Sequence, residues 1–152
     1  MNIQIENKQN KIKIQRCKIR SNVRTLLNIM DCADKELSIS FVDDKTIKKL
    51  NKNYLQRDNF TNVLSFSLQE GKFGNINPNI LGDIVISAET AQRDAAVGNL
   101  SLSEEIYFLI IHGLLHLLGF NHENTTKAQT NKMRIKEKEL FRILTSGNSK
   151  IA

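Results

Sequence analysis

Residues 110 to 123 read IIHGLLHLLGFNHE, and this one stretch holds all three histidines of the chain, His112, His116 and His122. Histidine is only moderately at home in a core, and each buried ring needs partners for its nitrogens. Three rings inside an otherwise apolar segment ask for a common partner. His112 and His116 are four apart, so on a helix they project from one face a turn apart, near enough to share an ion. Gly119 follows closely; glycine readily takes the left-handed conformation that ends a helix, so the chain can turn there and bring His122 back over the same face. Three neutral imidazoles on one Zn²⁺ leave the fourth tetrahedral position open, the arrangement of a catalytic rather than a structural zinc. Zn²⁺ is the expected cofactor; Ni²⁺, Cu²⁺ and Fe²⁺ suit three imidazoles as well. The bland alternative is three core histidines, each satisfied separately.

Around that stretch the pattern changes type several times. Ser101 with Glu104 three residues later predicts a capping box, and the helix it opens is apolar nearly all round from Ile106 to Leu118, which places it in the middle of the fold. GDIVISAET, from residue 82, is a β-branched run expected as a buried central strand, followed by a helix from about Glu89 to Val97. NIQIE and ELSISFV alternate like half-buried strands, with Ile19, Val23, Leu26, Leu27 and Met30 at helical spacing between them. Asp43 or Asp44 is placed to cap a helix that carries Ile47, Leu50 and Leu55 inward, TNVLSFSL is strand-like, and LQEGKFGNINPN gathers turn formers into a surface loop. A last helix, about Thr126 to Thr145, puts Met133, Leu140, Phe141 and Leu144 on one stripe and lysines on the other. The expected fold is α+β: one domain over residues 1–152, with a small mixed sheet of about four strands, about five helices, and a zincin-like helix bearing the metal site.

At 152 residues, 40% apolar and 25% charged, the chain can bury a core without disulfides, which excludes a disordered or fibrous class. Its opening residues carry no apolar core of signal-peptide length, Cys17 and Cys32 are the only cysteines, and no apolar run reaches membrane-span length. A cytoplasmic protein with reduced thiols and no membrane partner is expected. The net charge of +6 is uneven: residues 1–20 hold six Lys/Arg against one acid, and residues 124–152 seven against two. Such basic ends supply attraction to RNA phosphates, or merely form solvated faces. The aromatics offer no clear platform for stacking bases: Phe60, Phe66 and Phe73 are expected as core or loop anchors.

The spacing H-x-x-x-H-x-x-G-x-x-H reproduces the ligand pattern of metzincin zinc proteases. In those enzymes a glutamate beside the first histidine is the general base, and here that position is Gly113. Nothing places Glu123, beside the last histidine, as a substitute, so peptidase activity is disfavoured. Met133 is expected to be core rather than a methionine turn.

HGLLHLLGFNH, with LGDIVIS, RDNFTNVLSF and LNKNYL, resembles the bacterial YbeY family of rRNA maturation endoribonucleases from about residue 37 to 145. The resemblance implies a single α+β domain that holds zinc through His112, His116 and His122. It further implies a single-strand-specific endoribonuclease acting at the 16S rRNA 3′ end and in ribosome quality control, with RNA and ribosomal particles as partners. Two departures stand out. The family's Tyr-Asp before the last histidine is Phe120-Asn121 here, and its arginine after the tyrosine of the NxxY segment aligns with Leu55. Arg57, two residues on, offers a guanidinium that forks onto phosphate oxygens, or is a solvated turn residue. Asp83 of LGD either orients a ligand histidine or caps a turn. A non-catalytic ribosome assembly factor with structural zinc is the alternative function. The general base, and hence the catalytic residues, stay unassigned.

Overall fold

Period-two alternation builds four strands and 3.6-residue spacing five helices in the computed structural model, which describes residues 2–57, 59, 61–67, 79–120 and 126–151, the last five through their backbone alone. In chain order these are β1 (Ile3–Asn7), α1 (Arg16–Ile29), β2 (Glu36–Val42), α2 (Asp44–Leu55), β3 (Val63–Ser67), β4 (Ile80–Ser87), α3 (Ala88–Val97), α4 (Leu102–Leu117) and α5 (Lys127–Ile151). The sheet order is β1-β2-β4-β3, with β1, β2 and β4 parallel and β3 antiparallel at the edge. The α+β domain with a mixed four-stranded sheet is therefore as the sequence predicts, and GDIVIS is an interior strand.

The two faces of the sheet differ. Register places Ile5, Ile39 and Ile84 in one row across three strands. That row joins Val23 and Leu26 of α1, Ile110 and Leu114 of α4, and Met133 and Leu140 of α5 in the main core. Each fully buried Leu or Ile there contributes roughly 1.5–3 kcal/mol relative to exposure. On the opposite face a smaller cluster of Val42, Leu64 and Val85 packs under Ile47 of α2. The reason is the alternation of the strands: Ser38, Ser40 and Asp83 point away from the main core and leave little apolar surface for a second layer.

Two expectations shift. Leu55, expected inward, is 47% exposed, because α2 ends there: Gln56 takes a left-handed conformation, its N–H donates to Lys52 O, and the Arg57 N–H donates to Asn51 O. The last helix also runs past Thr145 to Ile151. The predicted loop lies outside the described residues from 68 to 78.

Asp43 is the N-cap of α2, and its Oδ1 accepts from the Thr46 N–H at 2.9 Å. Asp44 does something else: its carboxylate accepts from Ser87 Oγ (2.6 Å), Thr90 Oγ1 and Arg93 Nη2 (2.7 Å), tying the start of α2 to the start of α3. Burial works against the charged form of Asp44, but these hydrogen bonds and the Arg93 charge outweigh it and hold the carboxyl below its usual range. A lowered folded-state pKa means that the stabilisation is complete above the unfolded value, about 3.9, and is lost as pH falls through the folded one. Urea unfolding of wild type and Asp44→Asn should accordingly show a stability gap that is constant near neutrality and closes below about pH 4. A gap that widens on acidification contradicts this assignment.

Candidate metal centre

Helix α4 positions the site, and its own ends are well defined. Ser101 accepts from the Glu104 N–H at 3.1 Å while Glu104 accepts from the Ser101 N–H at 2.9 Å, the predicted capping box. At the other end Phe120 N–H reaches Leu115 O at 2.9 Å and Gly119 N–H reaches His116 O at 3.1 Å, with Gly119 at φ +98°. This pair of bonds around a left-handed glycine is a Schellman motif, so the chain does reverse where the sequence indicates. A Cβ on Gly119 would meet nothing within 4 Å; the glycine is there for its backbone angle, not for space.

Gly113 has the opposite reason. A Cβ there would stand 3.2 Å from three carbons of Ile84, so α4 rests its backbone directly on β4. That contact turns Gly113 to the sheet and leaves the adjacent histidines on a partly exposed flank. It also explains why no glutamate stands beside the first histidine: a carboxylate at this position would be driven into Ile84, not toward the histidines.

The structure brings His112 and His116 together. Their Nε2 atoms are 3.1 Å apart and their rings meet edge to face, with centroids at 4.6 Å. His112 Nδ1 lies 3.3 Å from Glu137 Oε2 of α5, a carboxylate that is only 7% exposed. A neutral His112 donating from Nδ1 to Glu137 keeps its lone pair on Nε2, aimed at His116. Two lone pairs cannot face each other at this distance. Either His116 donates a proton across the gap or a cation bonds to both nitrogens. The second fits: two nitrogens at 2.0–2.1 Å from one tetrahedral ion sit about 3.3 Å apart. A carboxylate behind a ligand histidine is the usual partner that fixes its tautomer.

Among the described residues no three His, Cys, Asp or Glu side chains converge on one point. His122, the third histidine of the motif, lies outside the described residues, as do Asn121 and Glu123. Arg57 is exposed after α2, its backbone N–H donating to Asn51 O at 3.2 Å, and its guanidinium has no ion pair among the described residues. Asp83 is exposed on the sheet face turned away from α4, so it does not orient His112 or His116. Upstream on α4, burial and then the charge of Asp94 push the Glu105 carboxyl up from its usual range.

A histidine pair on a core helix, backed by a buried carboxylate, on an α+β scaffold defines the kind of protein. The family model described as Endoribonuclease YbeY matches residues 4–145. A relative in Syntrophus aciditrophicus, described as Endoribonuclease YbeY, is 54% identical over 144 residues, covering 95% of this chain and 90% of its own. One from Syntrophotalea carbinolica with the same description is 46% identical over 139 residues, covering 91% and 93%. The solution structure of a Thermotoga maritima protein superposes with a TM-score of 0.68 over 97% of this chain and 92% of that one; at 23% identity the likeness is one of fold. This chain belongs to the Endoribonuclease YbeY family.

Glu137 escapes a reading by composition because it sits in a run, KEKEL, that looks like solvated charge. Its signal is positional: it falls on the stripe Met133, Leu140, Leu144, where a charge needs a partner. The Gly113 contact yields a direct test. Gly113→Ala should destabilise the fold by about 1–3 kcal/mol in urea unfolding, through overpacking against Ile84, and the double variant with Ile84→Val should recover part of the loss. An unchanged midpoint contradicts the contact.

Proposed function

We propose that this protein is a zinc-dependent, single-strand-specific endoribonuclease of the cytoplasm that matures the 16S rRNA 3′ end and acts in ribosome quality control. Its relatives are endoribonucleases by description, which supports a hydrolase of phosphodiester bonds with RNA as substrate. The observation that carries the reading is the His112–His116 pair with Glu137 behind it. These two histidines and His122 would hold the zinc. Bound there, zinc supplies Lewis-acid polarisation and charge neutralisation at a phosphate. Glu137 fixes the tautomer and orientation of His112.

The chain's own charge supports an RNA partner. Helix α1 carries Arg16, Lys18, Arg20 and Arg24 and no acid, and none of these forms an ion pair among the described residues. Helix α5 adds lysines on its outer side, partly offset by acids such as Glu139, which pairs with Lys136 at 3.6 Å. RNA phosphates are the natural complement of such a surface. No single helix among the described residues is long and apolar enough to cross a membrane. Cys17 and Cys32 are both free, as a reducing compartment favours.

A second reading, an assembly factor on ribosomal particles with structural zinc, is favoured by Leu55, which stands exposed where the family keeps an arginine. His116→Ala separates the two. The endoribonuclease loses cutting of single-stranded RNA, by at least about 100-fold, while its melting temperature moves little; the structural-zinc protein loses stability first. Glu137→Gln should weaken zinc binding about 10- to 100-fold in a chelator competition while preserving the fold. Preparations of wild type that bind zinc yet leave single-stranded RNA intact would transfer the assignment to the second reading.

A further inference from the structure

The sheet face opposite the histidines holds a cavity of about 530 Å³, within the usual size of small-molecule clefts, and nothing in the reading above uses it. Its wall is Tyr54, in the last turn of α2, which is 67% exposed although it is one of only two tyrosines and the other, Tyr107, is buried. Phe66 of β3 meets Tyr54 edge to face, with ring centroids 5.6 Å apart and planes at 65°. That contact fixes the orientation of the phenol ring without covering it.

The platform is rigid for reasons visible in the backbone. Gln56 closes α2 two residues after Tyr54, and the buried Asn51 side chain donates to both the carbonyl and the side-chain oxygen of Asn59, pinning the chain beyond the helix. Behind the ring the cavity is apolar at Val85 and polar at Ser38, Ser40 and Asp83. Asp83 is the register partner of Phe66, so its carboxylate stands beside the aromatic wall. Hydroxyls that donate or accept, the Asp83 carboxylate that accepts N–H groups, and an aromatic plane suit a flat, hydrogen-bonding ring system, while the second carboxylate of the lining, Glu6, is paired with Lys8 at 3.4 Å.

The cavity also lies close to the histidines through the sheet. A Cβ on Gly82 would collide with the Phe66 carbonyl oxygen and stand 3.0 Å from a methyl of Leu117, the residue after His116. At Phe66 a single layer of sheet separates the histidine turn of α4 from Tyr54. Because β3 is the edge strand, a polymer can pass around it from one face to the other.

From this arrangement, and resting on the endoribonuclease reading, we infer that Tyr54, Phe66 and Asp83 form a nucleobase site that seats an unpaired base of the RNA strand running over the β3 edge to the histidines. Stacking on Tyr54 supplies the affinity, and the hydroxyls with Asp83 meet the base edge. A duplex has no free base to offer, so the site selects single strands. The sequence conceals it: Phe66 reads as a core residue, and the partnership with Tyr54 exists only once α2 lies on the sheet.

The test is binding of a fluorescein-labelled, uncleavable 2′-O-methyl RNA octamer, followed by anisotropy with wild type, Tyr54→Ala and Tyr54→Phe. Tyr54 is exposed, so neither variant should shift the melting temperature. Tyr54→Ala is expected to weaken binding about 5- to 100-fold, in line with the loss of one stacked base, and Tyr54→Phe to stay within about threefold of wild type. Equal affinities of wild type and Tyr54→Ala overturn the base site, as does equal damage by both variants, which would make the hydroxyl and not the ring the contact. If wild type itself binds no RNA, the endoribonuclease reading falls, a failure distinct from that of the base site.

Discussion

Gly113 of α4 rests on Ile84 of β4, and the placement of both described histidines follows from that contact. A helix seated backbone-on-strand is held at one depth and one rotation, since interiors are packed too tightly to absorb an extra side chain. That rotation sends Ile110, Ile111, Leu114 and Leu115 into the core and leaves His112 and His116 on the flank that α5 approaches. The same seating crowds any side chain at the residue next to His112 against Ile84. A metzincin-like histidine spacing is thereby joined to a helix with glycine, not glutamate, at the position of the peptidase base.

Electrostatics locks the helix pair as packing locks the helix to the sheet. Glu137 is a carboxylate on the apolar stripe of α5, and its partner is His112. A buried charge without a partner is strongly unfavourable, so the docking of α5 and the orientation of His112 are one event. The Schellman turn at Gly119 then ends α4 just after the histidine pair. Defined ends on α4 and a second helix docked against it are what a site needs if its ligand nitrogens are to hold their separation.

Much of this was legible in the sequence where short-range rules apply. The capping box at Ser101, the helix end at Gly119, the interior strand GDIVIS and the shared face of His112 and His116 follow from spacings of three or four residues or from the strand period. What escaped depends on which elements meet. Leu55 reads as an inward position of α2, yet the helix stops there and exposes it. Glu137 reads as surface charge until α5 is docked, Asp44 as a helix cap until Ser87, Thr90 and Arg93 arrive from the next unit. Tyr54 and Phe66 lie on different elements and become a pair only across the sheet face. Long-range partners leave no local periodicity to read.

X-ray absorption at the zinc edge on purified protein reads out whether His112, His116 and His122 together hold a zinc. Three histidine ligands should give about one zinc per chain with a shell of imidazole nitrogens at about 2.0–2.1 Å and no sulfur, lost in His112→Ala. A zinc shell containing the sulfur of Cys17 or Cys32, or a chain that takes up no zinc while staying folded, would contradict a three-histidine site.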